Sequence, residues 1–180
     1  FWGAEAIPPR WLEKLYQRDE LERAARNLAA LRRHIAVYAT PGLPPFNCNE
    51  VAERLVAGRN PLTARDVETL AAAGVTHFLD LREPREWAAP HFGAEAVEAI
   101  ERCGLARRSL PVLDMGAPTP QELEAVCRYL EGTLQDEAAR VYVHCRAGME
   151  RTAAVLIAYY ARRHGVSYDA ALAKLREGRP

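Results

Sequence analysis

Nine consecutive residues, His144-Cys145-Arg146-Ala147-Gly148-Met149-Glu150-Arg151-Thr152, bring together a soft nucleophile, a permissive glycine and a planar cation. The β-branched run Val141-Tyr142-Val143 feeds into them, and an apolar helical pattern over 153–163 leaves them. A strand ending in a cysteine, followed by a tight loop that opens a helix, is a device for holding an anion. The first N–H groups of such a helix have no intrahelical partners, and the macrodipole adds partial positive charge there. Those N–H groups and Arg151 favour Cys145 as the nucleophilic thiolate. The fork of Arg151 matches two oxygens of a phosphate. A thiolate beneath an oxyanion cradle points to phosphoryl transfer through a cysteine.

The elements that must position this loop follow an alternating pattern. A short strand is expected over 50–57, ending at Gly58, and Thr63 with Asp66 caps a helix that runs to Ala73 and closes at Gly74. A buried strand is expected within 75–81, a helix over 94–103 ending at Gly104, and a short strand over 107–112 interrupted by Pro111. Thr119-Pro120-Gln121-Glu122 is a capping box with proline at the first helical position, and its helix carries Leu123, Val126, Cys127 and Leu130 on one stripe. A strand over 140–144, a helix over 152–163 and a last helix capped by Ser167 complete the series. Strands alternating with helices predict an α/β fold, a mostly parallel central sheet flanked by helices. Ligands in such sheets sit at the carboxyl ends of the strands, where Cys145 falls.

Residues 1–45 read differently, as an N-terminal helical extension and linker ahead of a domain over 46–180. Leu12, Leu15 and Tyr16, then Leu21, Ala24, Ala25, Leu28, Leu31 and Ile35, recur at helical steps before Pro41-Gly42-Leu43-Pro44-Pro45. This helix is expected to pack on the domain, the sharper alternative being self-association or partner binding through it. With 24 basic and 24 acidic residues the formal charge is zero, which excludes nucleic acid as an expected bulk partner. No 18-residue apolar run exists, so no membrane span is expected. The four cysteines show no CxxC pair or zinc-ligand spacing. No metal or cofactor is therefore expected, and a reducing cytoplasm is the expected compartment.

The H-C-x5-R-T signature, His144-Cys145 to Arg151-Thr152, resembles that of the cysteine-based protein tyrosine phosphatases. The rest of 46–180 looks most like their dual-specificity branch: residues 59–82 resemble its entry segment, Leu110-Pro111-Val112-Leu113-Asp114 its acid-bearing loop, and 170–180 its closing helix. The resemblance implies a phosphotyrosine phosphatase-like fold and hydrolysis of a phosphorylated protein or small phosphate monoester through a phosphocysteine on Cys145. It implies that Arg151 and the backbone N–H groups of Arg146, Ala147, Gly148, Met149 and Glu150 bind the phosphate. Asp114, 31 residues before the cysteine, fits the general acid, with a turn-capping aspartate as the alternative. Thr152 would donate a hydrogen bond to the cysteine sulfur, and His144 would orient the loop rather than transfer protons.

Two positions depart from the pattern: Glu150 and Ala153 stand where the family usually has glycine. A carboxylate pointing into the cradle would oppose an anion by roughly 4 kcal/mol at 4 Å and moderate dielectric, so Glu150 is expected to point outward. A second resemblance competes. Asp80-Leu81-Arg82-Glu83-Pro84-Arg85-Glu86 is similar to a segment of rhodanese-like sulfurtransferases, which also place a cysteine between a strand and a helix. Their loop is typically one residue shorter, a cradle suited to sulfur, whereas the Cx5R loop fits phosphate. Asp80 and Arg82 are expected as a buried pair or sheet-end brace, the alternative being a place in the cleft. A phosphate-binding module without turnover is the non-enzymatic alternative. Inositol phosphates or phosphoinositides are the alternative substrates, disfavoured by Met149 and Glu150 beside Arg146.

Overall fold

The computed structural model describes residues 42–43, 48–87 and 94–179. Two units divide the chain, 1–38 and 39–180, and every described residue falls in the second. The helix and most of the linker expected before residue 46 lie outside the described residues, as does the role in self-association assigned to that helix.

Five strands and six helices are described. In chain order they are β1 (Cys48–Ala52), β2 (Leu55–Arg59), α1 (Ala64–Ala72), β3 (His77–Asp80), α2 (Pro84–Trp87), α3 (Ala94–Arg102), β4 (Ala106–Ser109), α4 (Pro120–Thr133), β5 (Val141–Cys145), α5 (Glu150–His164) and α6 (Tyr168–Gly178). The strands form one sheet in the order β1-β2-β5-β3-β4, with β1 antiparallel to β2 and the other three pairings parallel. The mixed α/β architecture with a mostly parallel sheet is therefore as expected.

Alternation along the strands splits the core into two layers. Leu55, Ala57, Leu79, Val141 and Val143 face Val126, Leu130, Val155, Leu156, Tyr159, Ala171 and Leu175 of α4, α5 and α6. Val56, Phe78 and Tyr142 face Val67, Leu70, Ala99 and Ile100 of α1 and α3. Each strand of the sheet's centre thus buries both faces, the arrangement a parallel sheet requires. All five residues of β5 are buried, which fixes the strand that delivers Cys145.

The capping residues act as their types dictate. Thr63 and Thr119 accept N–H bonds from Asp66 and Glu122, whose carboxylates return the bond, and Ser167 caps α6. The single strand expected over 50–57 is instead a hairpin, β1 and β2 joined at Glu53-Arg54. No glycine or asparagine marks that turn. Arg54 takes the left-handed conformation (φ 60°), and its guanidinium binds the carbonyls of Leu134 and Asp136. Those distant bonds support a backbone state that local sequence does not favour. Near the edge, β4 stops at Ser109, short of the expected 112, because the chain then runs through Pro111. One element was unforeseen: the single-turn α2 after β3.

Candidate active site

The loop after β5 closes on the end of β2. Gly148 has φ +70°, and a Cβ placed there would lie 2.2 Å from the carbonyl carbon of Gly58. Only a residue without a side chain admits that approach. Asn60 N–H donates to the Arg146 carbonyl (3.1 Å) and ties the same two segments together. Within the loop, Gly148 N–H donates to Cys145 Sγ at 3.2 Å, so one backbone donor already faces the sulfur. Met149, at the N-cap of α5, makes no side-chain capping bond, unlike Thr63, Thr119 and Ser167. A helix end uncapped by its own side chain leaves the first-turn donors to the loop.

Cys145 is buried, 3% exposed, at the bottom of this loop. Arg146 and Ala147 are half-buried, and Met149 and Glu150 are exposed. Glu150 therefore faces outward, as the electrostatic argument requires. Thr152 is buried beside the loop, but its hydroxyl has no hydrogen-bond partner. The expected bond from Thr152 to the sulfur is not made in this structure, where the backbone of Gly148 takes that role.

Arg151 is buried and gathers the site. Its two terminal nitrogens donate to Glu86 Oε2 and Oε1 at 2.6 and 2.8 Å, a bidentate pair. The first also reaches the carbonyls of Val112 (3.3 Å) and Leu81 (3.4 Å). The second lies 3.0 Å from Asp114 Oδ1. Burial works against the arginine's charge, but the Glu86 bonds and the surrounding acidic groups overcome it, and its pKa lies above the ordinary value. Burial likewise opposes the Glu86 carboxylate, yet the Arg151 bonds and the Glu83 N–H hold it below the usual range. Asp114 is thus brought to the cradle through Arg151, and its backbone N–H donates to Glu83 Oε2 at 3.1 Å.

Behind the loop sits a second charged group. Arg82 binds Asp80 through Nε (3.0 Å) and Nη2 (2.9 Å), and both residues are buried. Arg107 reaches the same carboxylate at 3.4 Å. The reading of Asp80 and Arg82 as a buried pair at the sheet end is met. His144 Nε2 is 3.7 Å from Asp80 Oδ2, and its ring stacks on Tyr142. Burial pushes its pKa down to about 4 despite the carboxylate, so the ring is neutral near pH 7. Burial opposes the charge on Asp80 too, but His144 and the Arg82 fork keep its carboxyl below the usual range.

Glu86 and Glu83 are the residues that sequence reasoning missed. Both were visible in the acidic segment after β3, but no spacing rule links position 86 to an arginine 65 residues later. Among the described residues, no group of three or more His, Cys, Asp or Glu side chains is placed to hold a metal ion. No helix there is long and apolar enough to cross a membrane.

A mostly parallel sheet with a Cx5R loop at the end of its central strand defines a class, the cysteine-based phosphatases. The comparisons give the family. Residues 55–165 match the model of a family described as "Polymorphic toxin system, DSP-PTPase phosphatase", and the chain belongs to that family. It is 32% identical over 138 residues to mouse (Mus musculus) dual specificity phosphatase 28, covering 76% of this chain and 75% of that protein. It is 26% identical over 118 residues to bovine (Bos taurus) dual specificity protein phosphatase 26, covering 64% of this chain but only 52% of the relative. Among solved structures, PTPMT1 in complex with PI(5)P superposes with a TM-score of 0.63 at 22% identity, over 74% of this chain and 83% of that one. The family match decides between the two resemblances in favour of the phosphatases.

Proposed function

We propose that this chain hydrolyses phosphate monoesters, phosphotyrosine or other phosphoprotein foremost, through a phosphocysteine intermediate. The observation that carries this reading is the convergence of Cys145, Arg151 and Asp114 at one loop, with Glu86 fixing the arginine. The substrate phosphoryl group sits over Cys145, held by the loop N–H groups and by Arg151. Its arrival turns the second Arg151 nitrogen from Asp114 to a phosphoryl oxygen. Asp114, so released, takes up a proton from solvent and passes it to the leaving oxygen as the Cys145 thiolate forms the S–P bond and the P–O bond breaks. In the second step Asp114 takes a proton from water, which attacks phosphorus and frees the sulfur. His144 stays neutral and braces the loop from below. The cytoplasm is the compartment we propose, in keeping with the four free cysteines.

A second reading, phosphoinositide hydrolysis, takes its support from the likeness to PTPMT1 in complex with PI(5)P. Against it, Arg82 is buried against Asp80, and the exposed Met149 and Glu150 stand beside Arg146 in the loop. Rates on a phosphotyrosine peptide, a phosphoserine peptide and PI(5)P, each with Cys145→Ser as control, separate these readings. Fastest turnover of the phosphotyrosine peptide is expected. Preference for PI(5)P would favour the second reading. Cleavage of none, with phosphate still bound, would leave a binding module, and sulfur transfer from thiosulfate to cyanide would revive the sulfurtransferase.

A further inference from the structure

We infer that Glu83 is a positioning residue for the proton donor: it holds the loop carrying Asp114 over the cradle. The inference rests on Asp114 being the general acid, as proposed above. The loop that follows β4 is laced to the end of β3 and the chain just beyond it by three bonds. Leu110 N–H donates to the Asp80 carbonyl and Val112 N–H to the Leu81 carbonyl, both at 3.0 Å. At Asp114 the partner changes from backbone to side chain, Glu83 Oε2 at 3.1 Å.

Beyond Val112 little packing holds this loop. Leu113 and Met115 are 53% and 83% exposed, so neither anchors the loop in the core. Met115 takes φ +60°, a left-handed state that a methionine disfavours. A loop bent in this way needs a tie close to the bend, and Glu83 supplies it one residue before. Glu83 is itself fixed: Arg85 donates to the same Oε2 at 2.8 Å, and the Glu83 N–H donates to Glu86 Oε2 at 2.8 Å. Because Glu86 also holds Arg151, one short segment sets both the phosphate clamp and the donor's loop. When phosphate takes Arg151 from Asp114, the Glu83 bond is what keeps the carboxyl near the leaving oxygen.

A loose donor slows esters in proportion to their need for a proton. The test compares kcat/KM, which reports phosphoryl transfer to Cys145 alone, on phenyl phosphate, a poor leaving group, and on 2,4-dinitrophenyl phosphate, which leaves unaided. Glu83→Ala is expected to lower the first roughly tenfold more than the second, a part of the 10²–10⁴ that a general acid supplies. KM should stay near its original value. Glu83→Gln, which keeps an acceptor oxygen, should restore most of the loss. Equal loss on both esters, or no loss, would overturn the inference and leave Glu83 a structural side chain. Should the alanine chain fail to fold, Glu83→Met, of similar volume and without an acceptor, gives the same comparison. Asp114→Asn run in parallel distinguishes the two levels. If it shows the leaving-group effect and Glu83→Ala does not, only the inference fails. If Asp114→Asn shows none, the acid assignment falls and the inference with it.

Discussion

Gly148 is where a single atom decides whether the cradle exists. An alanine there would place Cβ 2.2 Å from the Gly58 backbone and would also have to adopt φ +70°. The loop can only respond by lifting off β2, which moves the N–H that faces Cys145. Displacement on the ångström scale costs on the order of 10² in rate, so Gly148→Ala is expected to lose about that much in kcat/KM on an aryl phosphate. Retention of full activity would show that the close approach is dispensable. Glu150 makes the opposite case. It occupies a loop position yet is exposed, so Glu150→Gln is expected to leave kcat/KM within about twofold at moderate salt. A larger change in steady-state rates would mean that the carboxylate acts on the substrate.

At the scale of elements, the end of β3 and the turn that follows it do more than the sequence announced. Asp80, Arg82, Glu83 and Glu86 lie within seven residues and reach two different parts of the site. The pairing of Asp80 with Arg82 was legible, because two opposite charges at the end of an apolar strand must neutralise each other. The grip of Glu86 on Arg151 was not, since it depends on the sheet order that sets β3 beside β5. The β1–β2 hairpin was hidden for a similar reason, its turn residue Arg54 being supported by carbonyls about eighty positions away. The helix starts at Thr63, Thr119 and Ser167 were readable because their hydrogen bonds close within three residues. Removing one partner of a buried pair strands the other, at about 3–5 kcal/mol. Asp80→Ala is therefore expected to lower unfolding stability by that amount in a urea titration, with Arg82 left without its bidentate carboxylate. A loss below 1 kcal/mol would place the pair in the class of surface bridges.

For the molecule as a whole, the two-layered core buries β5 along its whole length, and the charged loop stands at its end. The same burial makes stability depend on pH. His144 binds its proton near pH 4 when folded, against 6.5 as its ordinary value. Between those values the unfolded chain holds the extra proton, so stability falls as the pH falls from about 6.5 towards 4. Asp80 and Glu86, both held below their ordinary values, add losses of the same sign at lower pH. Melting temperatures recorded across pH 7 to 4 should decline steadily, and His144→Gln should flatten the upper part of that decline. A flat profile in the original chain would contradict the neutral, buried histidine.

In the proposed reaction Cys145 itself takes the phosphoryl group. Acid quench of the enzyme during turnover of an aryl phosphate, followed by mass analysis of its peptides, tests it directly. One phosphoryl group is expected on the peptide bearing Cys145, and neither that adduct nor any turnover in Cys145→Ser. Hydrolysis that persists in Cys145→Ser, or a phosphoryl group trapped on another residue, would contradict it.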